Sequence, residues 1–273
     1  MTEENGRDTY LLGNNYNAFR RYRLFNEIYQ PGTLERFATL PVSPDMHLLE
    51  VGCGIGDTAC YMAQTLVPEG HVTAIDPASD LVDLAKRQAS KLGIRNITFL
   101  NAKAEDFSYE TASFDITHTR YVLSYLSDAG EVLQKVFDAL KPSGIFFGEE
   151  IAQHYIKHGR TKWYDDMAAW FAKLIEAGGG NSNYGIEQMA SDMLTAGFED
   201  LRASAYWPIQ DQPKIIEMLR LGLSQEMKQN LVRLEVATET EVDAVISELA
   251  APEPDYVISA AMAAQIVGRK PQR

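Results

Sequence analysis

The 273-residue chain is short of cysteine, of positive charge and of uninterrupted apolar sequence, and each shortage excludes something. Two cysteines, Cys53 and Cys60, are too few for a disulfide framework or a cysteine-based metal centre, so no metal is expected. Twenty-five Lys and Arg against 38 Asp and Glu leave a formal net charge of −13. That field repels phosphate backbones and argues against nucleic acid as a partner. The basic cluster Arg20, Arg21 and Arg23 is too small to reverse it. No apolar stretch reaches the roughly 20 residues of a membrane span, and the polar start Met1–Asp8 lacks signal-peptide character. A cytoplasmic protein with no membrane partner is the expectation. With 45% hydrophobic and 23% charged residues, the composition is that of an ordinary globule long enough to bury a full core.

What is present is concentrated in two stretches. Leu48-Leu49-Glu50-Val51-Gly52-Cys53-Gly54-Ile55-Gly56 carries apolar residues into closely spaced glycines, the mark of a buried strand turning sharply beneath a helix. Gly52, Gly54 and Gly56 remove side chains where a ligand would lie against the backbone. The next apolar run ends in Asp76, an acid placed to accept hydrogen bonds from a ribose. Together they describe a nucleoside site. Gly54-x-Gly56-x-x-Ala59 also satisfies the loose dinucleotide fingerprint, which keeps NAD open. Glu50 discriminates between the two. A carboxylate at this strand tip repels a pyrophosphate, which needs bare amides and a positive helix end. It suits a ligand bringing positive charge, such as the amino and sulfonium groups of S-adenosylmethionine.

Strand and helix signals alternate from about residue 46 to 150. Strands are expected at 48–51, 71–76, 97–100, 114–119 and 145–149. Helices are expected at 57–66, from Ser79 or Asp80 to a stop at Gly93, and from Asp128 to the turn Lys141-Pro142-Ser143-Gly144. Such alternation implies parallel neighbours joined by helical crossovers. Beyond residue 150 the pattern predicts helices at 154–177, 186–196 and 211–250, with strands at 201–207 and 256–267. Two strands separated by a helical insertion fit an antiparallel edge pair. The fold class is therefore α/β, a Rossmann-like doubly wound sheet, mostly parallel with an antiparallel edge strand. Residues 1–45 read as an N-terminal helical lid, and 46–273 as the main domain with helical insertions at about 154–196 and 208–255.

The runs Leu48–Gly56, Thr73-Ala74-Ile75-Asp76-Pro77, Lys103-Ala104-Glu105-Asp106-Phe107 and Phe114-Asp115-Ile116 resemble the class I S-adenosylmethionine-dependent methyltransferases. Within them, the chain is similar to the small-molecule branch that includes quinone-biosynthesis C-methyltransferases. The resemblance spans roughly residues 46–150. It implies S-adenosylmethionine as cofactor, with Gly52, Gly54 and Gly56 against its methionine part, Glu50 at its amino group, and Asp76 with Pro77 at the ribose. Ala104 and Glu105 would meet the adenine. Lys103 stands where the family usually places an acid, and a lysine cannot accept a hydrogen bond from the adenine amine. Arg120 would lie beside the methionine carboxylate or the acceptor entrance, and Arg23 and Tyr16 of the N-terminal segment could reach that carboxylate. Methyltransferases of nucleobase amines or glutamine carry an Asn/Asp-Pro-Pro-aromatic run after the fourth strand. This chain has no proline between Pro77 and Pro142.

His154, shortly after the fifth strand, and Glu149 at its tip are the expected catalytic bases, with Glu150 beside them. Alternation sends Glu149 and Glu150 to opposite faces. His154 and His158 stand four apart, but two histidines alone do not make a metal site. Trp163, Tyr164, Trp170, Tyr184 and Trp207 suggest a flat or apolar small molecule as acceptor. A protein or peptide methyltransferase, and a non-catalytic module that only binds the cofactor, are the alternatives. Oligomeric state is left open.

Overall fold

The computed structural model describes residues 16–151, 162–223, 225–250 and 258–272, with the side chains of 16–18, 225 and 226 outside the description. Its strands are β1 (His47–Val51), β2 (His71–Asp76), β3 (Ile97–Asn101), β4 (Phe114–Arg120), β5 (Leu140–Ile151), β6 (Glu199–Tyr206) and β7 (Ala263–Arg269). They form one sheet in the order β3-β2-β1-β4-β5-β7-β6. β1 to β5 run parallel, and β7 is antiparallel to both β5 and β6. The expected antiparallel edge pair is therefore present, with β7 inside and β6 outermost.

The helices are α1 (Tyr16–Phe37), α2 (Asp57–Tyr61), α3 (Ser79–Leu92), α4 (Ala129–Ala139), α5 (Lys162–Ala177), α6 (Ile186–Ala196), α7 (Gln212–Gly222), α8 (Gln225–Arg233) and α9 (Glu239–Ala250). One sheet face is covered by Phe37 of α1, Ala59 and Cys60 of α2, and Val82 and Ala85 of α3, packed on Leu48, Ile116 and Phe147. The other is covered by Leu133 and Val136 of α4 and Met189 and Met193 of α6, packed on Leu49, Val51 and Phe146. Because both faces are buried, the strands read as continuous apolar runs rather than alternating ones. A further core joins Ile28 and Tyr29 of α1 to α5, α7, α8 and α9. Arg20–Glu217 at 3.0 Å and Lys214–Glu27 at 3.0 Å tie α1 to α7 at the surface.

Several boundaries differ from expectation for local reasons. The helix expected over 57–66 is α-helical only to Tyr61 and continues as a wider turn over Met62–Leu66, a local irregularity of the kind found inside helices. The segment expected as one helix over 211–250 is three, each long enough to bury one apolar face. The last strand begins at Ala263, where pairing to β5 starts, and 258–262, expected within it, are not strand; 256 and 257 lie outside the described residues. Lys141–Gly144 does not separate α4 from β5. Leu140 already pairs with Phe114, and the strand is kinked around Ser143 (φ 65°) before regular pairing resumes at Ile145. Asp128 caps α4 as expected, accepting from the Glu131 amide at 2.8 Å. No helix among the described residues is long and apolar enough to cross a membrane.

Candidate functional site

The glycine turn follows from where β1 must end. Gly52 and Cys53 both donate their amides to the Ile75 carbonyl, at 2.8 and 2.9 Å, which bends the chain over the tip of β2. Gly52, Gly54 and Gly56 hold φ values of 76°, 53° and 82°, a region that L side chains rarely occupy. Their surroundings differ. A Cβ on Gly52 would stand 2.1 Å from a Val122 methyl, and one on Gly56 would stand 2.6 Å from the Ala85 Cβ. A Cβ on Gly54 would meet nothing within 4 Å. On their Cβ sides Gly52 and Gly56 are closely packed, and Gly54 has open space before it.

Asp76, at the tip of β2, is buried and accepts from the Gly54 amide at 2.8 Å and the Ala78 amide at 2.9 Å, one on each oxygen. Burial pushes its pKa up, against the pull of those two amides. Each oxygen retains capacity for a further hydrogen bond. The adjoining Pro77 is exposed, and Asn101 fixes this turn by donating to the carbonyls of Asp76 (3.0 Å) and Pro77 (2.8 Å). After β3, Ala104 is buried and its carbonyl accepts from the Tyr109 hydroxyl at 3.0 Å. The Glu105 carbonyl accepts from Lys135 at 2.5 Å. Glu105 is half-buried, and Asp106 is exposed.

Glu50 is buried in β1, in register with His118 of β4. Its Oε1 lies 3.4 Å from His118 Nδ1, and its Oε2 has no partner among the described residues. A buried carboxylate oxygen left without a donor costs roughly 1–3 kcal/mol or more, and the natural relief is a cationic ligand group. The residues present therefore fit a ligand with a ribose at Asp76, bare backbone at Gly54 and an ammonium at Glu50 Oε2.

The two carboxylates ending β5 are both buried, so neither faces solvent. Glu149 accepts from Thr33 of α1 at 2.8 Å and from Gln265 of β7 at 2.8 Å, and its Oε1 lies 3.2 Å from His118 Nε2. Burial alone would raise its pKa, but His118, Arg120 and Gln265 hold it below the ordinary value. Glu149, expected as a catalytic base, is thus a buried carboxylate whose contacts tie α1 to the sheet. Glu150, on the opposite face, accepts the amides of Val122 (3.0 Å) and Leu123 (2.6 Å) and the Ser124 hydroxyl (3.0 Å). Burial nevertheless raises its pKa to about 7.

Arg120 is half-buried and turned toward α1, donating to Thr33 Oγ1 at 3.1 Å and to Asn26, which in turn donates to Asp57. Arg23, expected at the cofactor carboxylate, is exposed, because the helical turn that buries Arg21 carries Arg23 away from the core. Arg21 lies with its guanidinium 5.2 Å from the Tyr22 ring centroid. The Tyr16 side chain, His154 and His158 lie outside the described residues.

Two residues at this edge were not singled out by motif. Tyr121 follows β4 at φ 59°, unusual for an aromatic residue, and packs edge-on to Phe25 (4.9 Å) and Tyr29 (5.4 Å). Its buried hydroxyl has no partner among the described residues. His118 is fully buried between two carboxylates. A strand buried on both faces hides both signals, since His118 falls at an ordinary core position and its partners depend on strand register.

The methyltransferase-domain family matches residues 42–198. Among curated proteins, a demethylmenaquinone methyltransferase of Lactococcus lactis is 28% identical over 119 residues, 44% of this chain and 46% of that protein. The chain thus spans about half the length of the curated relatives it matches. Among solved structures, Haemonchus contortus phosphoethanolamine N-methyltransferase 2, in complex with phosphomonomethylethanolamine and S-adenosylhomocysteine, has a TM-score of 0.59 at 16% identity, covering 92% of this chain and 57% of that one. The [4+2]-cyclase SpnF has a TM-score of 0.58 at 19% identity, covering 93% of this chain and 81% of that one. These likenesses establish the fold, which a methyltransferase and a cyclase share.

Proposed function

From the premise that this chain belongs to the methyltransferase-domain family, we propose that it is an S-adenosylmethionine-dependent methyltransferase acting on a small, apolar or aromatic acceptor. The observation that carries the reading is the buried, unpartnered Glu50 Oε2, on the strand leading into the turn where a Cβ added to Gly54 would have no neighbour within 4 Å. A pyrophosphate would meet a repelling charge there, whereas an ammonium would meet its partner.

When bound, S-adenosylmethionine supplies an electrophilic methyl group on a sulfonium. The chain's residues then have distinct tasks. Glu50 Oε2 accepts from the amino group, and Asp76 accepts from the ribose hydroxyls while its amide contacts hold the Gly54 turn in shape. Ala104 and Glu105 border the adenine. Glu150 fixes the segment after β4 by taking the amides of Val122 and Leu123, so Tyr121 and its neighbours are held where an acceptor would approach. Phe25, Tyr121, Trp163 and Phe171 pack on the helical core above this edge and provide apolar walls that exclude water. Alignment of two reactants in such a site supplies up to roughly 7–11 kcal/mol of barrier reduction, so little acid–base help is needed for a reactive nucleophile. The acceptor class agrees with the demethylmenaquinone methyltransferases among the relatives.

Calorimetric titration with S-adenosylmethionine, S-adenosylhomocysteine and NAD tests the cofactor. Selective binding of the first two is expected, followed by S-adenosylhomocysteine release with phenolic or quinol acceptors. Binding of NAD alone would overturn the reading of Glu50.

A further inference from the structure

His118 meets a carboxylate at each ring nitrogen. Nδ1 lies 3.4 Å from Glu50 Oε1, and Nε2 lies 3.2 Å from Glu149 Oε1. The ring is fully buried, with Phe37 and Phe147 centroids at 5.2 and 5.0 Å. A neutral imidazole carries one N–H, and an imidazolium carries two. Nε2 is hydrogen-bonded to Glu149, whereas Nδ1 faces Glu50 Oε1 without hydrogen-bond geometry; a ring protonated only at Nε2 would aim its Nδ1 lone pair at that carboxylate, and a charged ring pairs with both ions. Burial opposes the charge, but the neighbouring carboxylates of Glu149 and Glu50 outweigh it and raise the His118 pKa.

The two carboxylates are not equivalent. Glu149 is held by Thr33, Gln265 and the neighbouring Arg120, and Gln265 is itself fixed by the Gly32 carbonyl at 3.1 Å and the Ser204 hydroxyl at 3.1 Å. This chain of contacts crosses β4, β5, β7 and β6 on the sheet face that α1 covers. Glu149 is thus the fixed end. Glu50 is the end with spare capacity, since Oε1 only faces His118 Nδ1 at 3.4 Å and Oε2 has no partner among the described residues. The charged groups around the ring are Glu50, Glu149 and Arg120, and Glu50 in turn acts on Asp76 of β2.

We propose that His118 is a positioning residue: hydrogen-bonded to Glu149 through Nε2 and set against Glu50 Oε1 through Nδ1, it fixes Glu50 so that Oε2 is presented to the amino group of the bound cofactor. This rests on the cofactor reading above, and it assigns the ring no contact with the reacting atoms. It also gives the buried polar row a purpose that packing alone does not, because an apolar residue would fill the site at lower cost.

The test compares two ligands. S-adenosylhomocysteine carries the amino group, whereas 5′-methylthioadenosine keeps adenine, ribose and sulfur without the amino-acid part. His118→Phe removes both donors, and His118→Gln retains one amide donor. His118→Phe is expected to weaken S-adenosylhomocysteine about tenfold to a hundredfold and 5′-methylthioadenosine by less than about twofold, with His118→Gln intermediate. In parallel, the 15N-histidine spectrum of the wild-type protein, which needs no variant to fold, is expected to show both His118 nitrogens protonated at neutral pH. Equal losses for the two ligands, unchanged S-adenosylhomocysteine affinity, or a neutral His118 ring would overturn the proposal. A wild-type protein that binds neither ligand would instead overturn the cofactor reading, and this outcome is distinct from the others.

Discussion

Gly54 and Gly56 stand two residues apart in one turn, yet alanine at each should fail differently. At Gly54 the backbone sits at φ 53°, and placing an L side chain in this region costs about 1–2 kcal/mol. No steric cost is added, because a Cβ there has nothing within 4 Å, and the amide that Asp76 accepts is retained. For a chain of this size each kcal/mol shifts Tm by roughly 2–4 °C, so Gly54→Ala should melt about 2–8 °C lower. At Gly56 the same strain applies at φ 82°, and the Cβ would lie 2.6 Å from the Ala85 Cβ and 3.1 Å from the Phe99 ring. Overpacking adds about 1–3 kcal/mol, so Gly56→Ala should be the less stable of the two. Ligand binding should rank them the other way. If the cofactor lies against the bare backbone at Gly54, a methyl there removes at least about tenfold in S-adenosylhomocysteine affinity, the equivalent of about 1.4 kcal/mol. Folded Gly56→Ala protein should bind within a few-fold of wild type. Scanning calorimetry and ligand titration on the same samples separate the two effects. Wild-type affinity in Gly54→Ala would show that no ligand approaches the open side of the turn, and would refute the placement of the cofactor there.

Glu150 should leave a mark on stability against pH. Its folded pKa of about 7 exceeds the ordinary glutamate value, so the native state binds the proton more tightly, and stability should fall as pH rises from about 4.5 to about 7, by on the order of 3 kcal/mol. Glu150→Gln should flatten that slope in urea unfolding measured between pH 5 and 8, and a slope identical to wild type would remove Glu150 as its source. Thr33→Val deletes the hydroxyl that donates to Glu149 and accepts from Arg120. It should cost about 1.5–3 kcal/mol, as expected for hydrogen bonds to charged groups, and an unmoved denaturation midpoint would show that α1 is held by packing instead. Tyr121→Phe removes a buried hydroxyl that has no partner among the described residues, so thermal stability should hold or rise slightly. If that hydroxyl receives the acceptor, acceptor KM should increase by roughly tenfold with cofactor affinity unchanged, and an unaltered KM would place the acceptor elsewhere.

The central sheet was legible because its signals are local. The apolar run ending in Gly52, the cap at Asp128 and the stop at Gly93 each depend on neighbours a few residues away. The tips of β1 and β2 were legible for the same reason, since Glu50 stands next to last in its strand and Asp76 last, and a short window reveals the extents of both. What depends on register or rotation was not. Arg23 and Arg21 are indistinguishable in composition, yet the turn of α1 buries Arg21 and leaves Arg23 exposed. Arg120 reads as a free cation beside a binding edge, and only tertiary packing brings Thr33 and Asn26 to it. Gly52 and Gly56 look like Gly54 until the Val122 and Ala85 side chains are placed against them.

Glu149 and Glu150 make the same point about chemistry. Adjacent carboxylates at the tip of a central strand read as acid–base candidates, and alternation does send them to opposite faces. Each face, however, holds a waiting donor set. On one side Thr33, His118 and Gln265 converge on Glu149 and tie α1 to β5 and β7. On the other, two amides and a hydroxyl from Val122, Leu123 and Ser124 converge on Glu150 and stake the segment after β4. One dipeptide therefore fastens the elements on both sides of the proposed ligand-binding edge of the sheet, with α1 above one face and the Tyr121 segment beside the other. A free base needs an oxygen with spare capacity toward a substrate. Among the three buried glutamates at this edge, the oxygen without a partner belongs to Glu50, where the demand is for a fixed anion rather than a proton acceptor. The arrangement suits a reaction driven by alignment, in which buried carboxylates hold geometry and the transferred group arrives already activated.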